Sequence, residues 1–218
     1  MKRTAFFLSL VALLALSGCH FDSFHRTTGS GTMKLEKRNV PAFTAVDISG
    51  AYDVEIVVQK EQSLEIEGDD NLLPLIKTEV KNGVLEINNE KGFNTKHTLR
   101  VRISVPQLKG ISTSGASEIV VSNVKSDEFK IDTSGAGSLK VAGETKTLAL
   151  EMSGAGEVDA QELRAEKVTV NSSGASGADV YASEDLRVDA SGAGHINYYG
   201  NPKNVSEDVT GAASISKK

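Results

Sequence analysis

Apolar and polar residues alternate along most of this chain, which is the pattern of β-strands with one buried face. Between Val46 and Val58 apolar side chains recur at every second position, interrupted at Ser49-Gly50-Ala51. The same period of two returns at residues 64–67 and at residues 99–105, where Pro106 ends the run. Since no stretch keeps a helical period over a useful length, the sequence predicts a nearly all-strand fold.

Two local signals divide the first half of the folded region. Asn82-Gly83 stands between alternating runs, and this dipeptide favours a tight hairpin turn. The segment Leu72–Ile76 contains Pro74 and predicts a single helical turn. The sequence therefore predicts irregular strands and a hairpin over residues 40–109.

A tripeptide returns at nearly constant spacing through the second half of the chain. Ser-Gly-Ala begins at residues 114, 134, 153, 173 and 191, and Thr-Gly-Ala begins at residue 210. The steps are 20, 19, 20, 18 and 19 residues, and an alternating run enters and leaves each copy. About 19 residues at roughly 3.3 Å each would make a coil of two or three short strands. This regularity predicts regular β-solenoid repeats over residues 110–218.

The glycine of each tripeptide is predicted to form a corner, because glycine accepts the positive φ of a sharp bend. The serine hydroxyl can bond to the backbone or to the serine one coil away. A nucleophilic serine would need a positioned base, and a phosphate loop would need a lysine and a following helix. We therefore interpret the tripeptides as structural, with corners at Gly50, Gly115, Gly135, Gly154, Gly174, Gly192 and Gly211.

The N-terminal residues have the features of a targeting segment. Lys2 and Arg3 precede an apolar run, and Leu16-Ser17-Gly18-Cys19 resembles a bacterial lipobox. We therefore expect a signal peptide at residues 1–18, lipidation of Cys19, a polar tether at residues 19–39 and one domain at residues 40–218. His20 is not the aspartate that favours inner-membrane retention, so the outer membrane is the favoured location.

Net charge and cysteine content bear on the possible partners and on covalent cross-links. Without residues 1–18 the chain carries 22 cations and 29 acids, a net charge of −7. A mildly acidic body is a poor partner for nucleic acid. Cys19 is the single cysteine, so no intramolecular disulfide can form.

The folded region resembles the putative auto-transporter adhesin, head GIN domain family of Bacteroidota lipoproteins. The resemblance spans about residues 40–215 and rests on four motifs together with the repeated Ser-Gly-Ala. They are Phe43–Val54, Asp70-Asn71-Leu72, Ile76–Val80 and Gly83–Ile87. It implies a right-handed single-stranded β-helix and carries over no catalytic residue.

Few residues point to catalytic or metal chemistry. No two of His20, His25, His97 and His195 have metal-ligand spacing, so no metal or cofactor is predicted. The cluster Asp69-Asp70-Asn71 offers oxygen ligands without the spacing of a calcium loop, and we interpret it as a turn. A contact patch at Tyr198-Tyr199 remains a candidate, with packing at the end of the solenoid as the alternative.

The leading hypothesis is a non-enzymatic, lipid-anchored envelope protein that presents a rigid surface for adhesion. Its partner would be a protein, a glycan or a second copy of the chain. A polysaccharide lyase or hydrolase is the alternative, since outward acids occur on successive coils, and a structural or stress-related envelope component is the third. A hydrolase needs two carboxylates across a cleft. The acids in question are Asp132, Glu151, Asp159, Asp179 and Asp189.

Overall fold

The computed structural model describes residues 26–218, so the predicted signal peptide and Cys19 lie outside the described residues. Within that range the chain forms a β-solenoid of about five turns, as predicted. The strands are β1 (Thr27–Thr28), β2 (Met33–Lys37), β3 (Ala45–Gly50), β4 (Asp53–Val58), β5 (Ser63–Asp69), β6 (Ile76–Lys81), β7 (Val84–Asn89), β8 (Phe93–Asn94), β9 (Arg100–Val105), β10 (Gly110–Gly115), β11 (Glu118–Thr133), β12 (Ser138–Gly154), β13 (Glu157–Gly174), β14 (Gly177–Gly192), β15 (His195–Tyr199), β16 (Asn204–Gly211) and β17 (Ser214–Lys217).

The long strands β11 to β14 each run around one coil between two consecutive tripeptide corners. Each pairs in parallel with the next, so the backbone of one coil bonds to the coils on both sides. Beyond β14, the strands β16 and β15 continue the stack, and β17 pairs with β15. Corresponding residues of successive coils therefore stand in columns along the solenoid.

A second corner lies within each long strand and carries no repeated motif. The register shifts between Val121 and Val124 in β11 and between Lys140 and Ala142 in β12. At these bends Asn123 has φ 62° and Gly143 has φ 142°. A third bend follows before the next tripeptide, where the register of β13 and β14 shifts between Ala165 and Lys167. Each coil therefore has three faces: the entry face before the tripeptide corner, the exit face after it, and the short face between the second and third bends. In β12 they are residues 147–153, 138–141 and 143–146.

The interior is filled by columns of aliphatic side chains in register. One such column crosses five coils, and each of its members is at most 2% exposed. Burial of each side chain of this size stabilises the fold by roughly 1.5–3 kcal/mol. The column contains Ile111, Ile131, Leu150, Val170 and Val188.

Antiparallel strands cover the N-terminal end of the solenoid. The hairpin β6–β7 turns at Asn82 (φ 51°) and Gly83 (φ 78°), the backbone of a type I′ turn, and β7 pairs with β3. A 3₁₀ turn at Leu73–Leu75 contains Pro74 and occupies the site of the predicted helical turn. The hairpin prediction is confirmed, and the hairpin ends the parallel stack.

The folded region begins earlier than the predicted boundary at residue 40. Strand β2 pairs antiparallel with β5 along Met33–Lys37, inside the segment expected to be a tether. Arg38 donates hydrogen bonds to the carbonyl oxygens of Leu73 (2.7 Å) and Ile76 (2.5 Å). Strand β1 also pairs with β8, so the tether prediction is corrected for residues 27–38, which strand pairing and hydrogen bonds join to the domain.

Candidate interaction surfaces

The predicted corner glycines stand in one column along the solenoid. Gly115 pairs with Gly50, Gly174 with Gly154 and Gly192, and Gly211 with Gly192. A Cβ placed on Gly154 would lie 2.6 Å from the carbonyl oxygen of Gly135, closer than Cβ atoms come to other atoms. Backbone therefore occupies the space that a side chain would need. All these glycines except Gly135 also have positive φ: Gly50, Gly115, Gly154, Gly174, Gly192 and Gly211.

Three of the serine hydroxyls beside this column bond to another serine or to backbone. Ser49 Oγ lies 2.8 Å from Ser114 Oγ, and Ser191 Oγ donates to the carbonyl oxygen of Ser172 at 3.4 Å. Such partners hold a hydroxyl in place but do not remove its proton, which a nucleophile requires. These contacts fit the structural role that the sequence predicts for the serines.

Carboxylates form a column on the entry face, next to the serines. Asp132 is in register with Glu151, Glu151 with Asn171, Asn171 with Asp189, and Asp189 with Asp208. The column continues toward the N-terminal end through Ser112, Asp47 and Glu86. Burial raises the pKa of Asp47 above its ordinary value, and the charges of Glu86 and Asp132 raise it further. Lys130 neutralises part of this face through Glu151, 3.0 Å away.

The exit face carries ion pairs between neighbouring strands. Arg102 Nη2 lies 3.3 Å from Glu67 Oε2, and Lys140 Nζ lies 2.9 Å from Glu162 Oε1 and 3.5 Å from Asp159 Oδ2. Further along, Asn197 donates to Asp179 at 2.8 Å. The predicted outward acids Asp159 and Asp179 thus lie here, on a different face from Asp132, Glu151 and Asp189.

A groove of about 640 Å³ runs along the short face. Small residues in register make its floor, and charged columns make its two sides. On one side the guanidinium of Arg164 lies 4.1 Å from the ring centroid of Tyr181. On the other, Lys146 Nζ lies 2.7 Å from Asp127 Oδ1. The floor consists of Ser126, Thr145, Ala165 and Ala182.

Sequence reasoning missed this groove and its Arg164–Tyr181 pair. The two residues are 17 positions apart, outside the tripeptide spacing of 18 to 20, because β13 has three more residues at its bend than β14. The register shift between Ala160 and Arg164 absorbs that difference. A search for charged and aromatic residues at slightly shortened spacings could have found the pair.

The candidate patch Tyr198-Tyr199 lies at the end of β15. Both side chains are half-buried, and Tyr198 packs against the core. Tyr199 is in register with Tyr181, so it continues the line of the groove side toward the last coil.

The acidic turn holds the start of the folded chain. Asp69 Oδ1 accepts a hydrogen bond from the Gly31 amide at 2.7 Å, and Asn71 Oδ1 accepts one from the Ser30 amide at 2.9 Å. Asn71 Nδ2 donates to the Thr28 carbonyl oxygen at 2.8 Å. Asp69 is buried, and the Thr95 hydroxyl that donates to it is the main reason why its pKa is lowered. The oxygens considered as calcium ligands instead accept hydrogen bonds from backbone amides and from the hydroxyls of Ser30 and Thr95.

Residues 26–218 show neither a metal-binding cluster nor a membrane-spanning helix. Across that range no three His, Cys, Asp or Glu side chains gather as a metal site. His97 contacts Asp69 at 3.4 Å and His195 contacts Glu157 at 3.6 Å, while His20 and His25 precede the described residues. No helix in the described part of the chain has the length and apolar character needed to cross a membrane.

Comparison with known proteins agrees with this architecture. The family described as putative auto-transporter adhesin, head GIN domain, matches residues 42–202. A putative adhesin from Bacteroides fragilis superimposes with a TM-score of 0.72 at 23% identity, covering 88% of this chain and 99% of that one. A putative adhesin from Parabacteroides merdae gives 0.60 at 20% identity, with the same coverage of both chains.

A third solved structure, a putative lipid binding protein from Parabacteroides distasonis, gives a TM-score of 0.56 at 20% identity. It too covers 88% of this chain and 99% of that one. At identities of 20% and 23%, these similarities show the fold alone. A search among curated proteins finds no match.

Proposed function

Because the chain belongs to the putative auto-transporter adhesin, head GIN domain family, we propose that it is an adhesion protein displayed on the bacterial envelope. The observation that carries this proposal is the stacking of outward side chains in register, above all the carboxylate column of the entry face. This column places a carboxylate on most coils, about 4.8 Å from one coil to the next, with Ser112 and Asn171 at the remaining positions. A partner would then gain affinity from many weak, equivalent contacts rather than from one deep pocket.

The rigidity of the scaffold supports display. Parallel backbone pairing links each long strand to both neighbours, and the interior column from Ile111 to Val188 is almost completely buried. A surface held in this way loses little conformational entropy when it binds. Weak contacts therefore contribute more to net affinity than they would on mobile loops.

The groove on the short face does not favour glycoside hydrolysis. A hydrolase needs one carboxyl group that stays protonated, which requires a raised pKa. The ammonium group of Lys146 instead lowers the pKa of Asp127. The ring of Tyr181, which could stack on a sugar, is covered by Arg164 on one face. We therefore propose a non-enzymatic role.

Lipid attachment at Cys19 is part of the same proposal. Strands β2 and β5 lie with the N-terminal cap, so a chain tethered through Cys19 would approach the membrane with its capped end. Two or more acyl chains on one residue anchor a protein stably. Metabolic labelling with palmitate should mark the wild-type protein, and a Cys19→Ala variant should carry no label.

Attachment of whole cells tests the adhesive role. Cells that produce the chain should bind to each other or to a coated surface more strongly than cells that produce Cys19→Ala at equal amounts. Protease treatment of intact cells should release the folded domain and abolish the difference. Equal attachment of the two strains would contradict the proposal, as would saturable release of reducing ends from polysaccharides by the purified chain.

A further inference from the structure

The last coil of the solenoid presents two open strand edges. Strand β16 pairs only with β14, and β17 pairs only with β15, so within residues 26–218 no strand covers their outer edges. Every residue of β16 is exposed, including Val205 at 43% and Val209 at 41%. Open, partly apolar edges of this kind pair readily with another strand.

Side chains on this coil alternate between the interior column and the outside. Val209 and Glu207 follow the buried Ala190 and Val188 in register, so both lie over the interior. On β17, Ile215 follows the buried Ile196, and Lys217 follows Tyr198. Val205 follows the buried Leu186 in the same way, so the inward positions of β16 and β17 hold three apolar side chains, one acid and one base. The four nearest the corner are Val209, Glu207, Ile215 and Lys217.

These positions are symmetric about Ala212, at the corner between the two strands. Val209 and Ile215 each lie three residues from Ala212, and Glu207 and Lys217 each lie five residues from it. The outward positions follow the same rule, with Thr210 opposite Ser214 and Asp208 opposite Ser216. Among the inward positions apolar thus corresponds to apolar and acid to base. Among the outward positions Thr210 and Ser214 are both hydroxyls, and the acid Asp208 corresponds to the hydroxyl of Ser216.

A two-fold axis through this corner would bring the corresponding positions together. Strand β16 runs toward the corner and β17 runs away from it, so rotation about such an axis sets β16 of one copy antiparallel to β17 of the other. Opposite residues of an antiparallel pair share a face, so Val209 would meet Ile215 and Glu207 would meet Lys217, each twice per dimer. A two-fold axis through the middle of β16 would instead place Glu207 of one copy opposite Asp208 of the other, so that like charges would meet.

We propose that this last coil is the docking site for a second copy of the chain, end to end, through antiparallel pairing of β16 with β17. The contact is isologous, so it closes as a dimer and covers both open edges of each copy. It aligns the two apolar pairs and the two ion pairs and places no like charges opposite each other.

The position of the contact also deepens the proposed adhesive function, on which this step depends. The capped end and β2 lie at the opposite end of the solenoid from β16 and β17. A chain anchored through Cys19 would hold its last coil farthest from its own membrane. Dimerisation through the last coils would then join two facing membranes, and the partner in adhesion would be this same chain.

Charge reversal separates this contact from other modes of association. In sedimentation of the full chain in detergent, the wild type should form dimers with rising concentration. Glu207→Lys and Lys217→Glu should each weaken association about tenfold or more. An equimolar mixture of the two variants should dimerise like the wild type, because the reversed charges are then complementary at both ion pairs. Glu118→Lys, an exposed reversal on the exit face, should change nothing.

A monomer at all concentrations, or a dimer that survives both single reversals, would overturn the proposal. Two chains that merely occupy the same micelle would associate regardless of these charges. They would therefore not show the loss of dimers in each variant and its recovery in the mixture. Vesicles that carry the reconstituted chain then test the membrane step. Vesicles with either variant alone should stay apart, and a mixture of the two should aggregate. Dimers in detergent without aggregation of vesicles would refute the bridging geometry while leaving the dimer in place.

Discussion

At the scale of single residues, the tripeptide corners show why this solenoid uses glycine so regularly. The carbonyl oxygen of one corner glycine fills the space where the next would carry its Cβ. Gly154 also has φ 114°, a conformation that side chains with a Cβ branch rarely adopt. At Gly154, the close approach of the neighbouring backbone and the positive φ therefore both disfavour a residue with a side chain.

Substitution of Gly154 by valine should destabilise the fold by roughly 1–3 kcal/mol. Gly92→Val is a matched control, because a Cβ on Gly92 would meet only the Arg26 side chain at 3.7 Å or more. Chemical denaturation of the two variants measures the difference. Equal midpoints for Gly154→Val and the wild type would contradict the account of the corner.

The lowered pKa of Asp69 makes the contacts of this side chain sensitive to acid. Its pKa lies below the ordinary 3.8, mainly because the Thr95 hydroxyl donates to the carboxylate. The stabilisation is therefore fully present above pH 3.8 and is lost as the pH falls through the lowered pKa. We expect the amide of Gly31, which bonds to Asp69, to lose protection from hydrogen exchange in that range.

Asp69→Asn should reduce Gly31 protection at neutral pH, because the carboxamide keeps one acceptor oxygen where the carboxylate offers two, one to the Gly31 amide and one to the Thr95 hydroxyl. Asp208→Asn, on the last coil, serves as the control. Protection of Gly31 that is unchanged in Asp69→Asn would show that other contacts hold this segment.

At the scale of the strand, each long element has an inward row that stabilises the fold and an outward row that can vary. Leu150 is completely buried between Ile131 and Val170. Lys130 and Glu151, by contrast, make an exposed ion pair, with side chains 55% and 47% accessible. The outer faces can therefore change in sequence without loss of the fold.

Leu150→Ala should lower the free energy of unfolding by about 2–5 kcal/mol. Lys130→Ala should lower it by about 1 kcal/mol or less, because exposed ion pairs contribute little. Denaturant titration of both variants gives the comparison. Similar losses for the two would mean that the charged face, rather than the interior column, stabilises the coils.

At the scale of the whole molecule, the two ends of the solenoid differ. The outermost strands of both ends pair on one side only, but β2 and β6 at the N-terminal end pair antiparallel with β5 and β7, whereas β16 and β17 at the other end continue the parallel stack. In a stack where each coil contacts only its neighbours, a coil with one neighbour is the least stable. The capped end and the open end are therefore suited to different tasks, attachment and contact.

Hydrogen exchange should reveal this gradient. In dilute monomer, the amides of Asn204–Gly211 should exchange faster than those of residues 167–172, which lie between two coils. Higher protein concentration should slow exchange in Asn204–Gly211 if the last coils pair. Uniform protection from β11 to β17 at low concentration would contradict the predicted order of opening.

The sequence alone determined the class of fold, because its signals are local. Alternation marks the strands, Ser-Gly-Ala marks one corner of each coil, and Asn82-Gly83 marks the hairpin. Each signal depends on the backbone conformation of a few adjacent residues, which is why it can be recognised without knowledge of the remaining chain.

The tertiary structure alone decided which residues meet. The second corner carries no shared motif, and its register shifts determine that Arg164 meets Tyr181. Strand β2 joins the domain only because β5, some 30 residues later, offers it an edge. The carboxylate column likewise depends on which coil positions align. Alternation specifies the face of a side chain, whereas packing between coils specifies its neighbours.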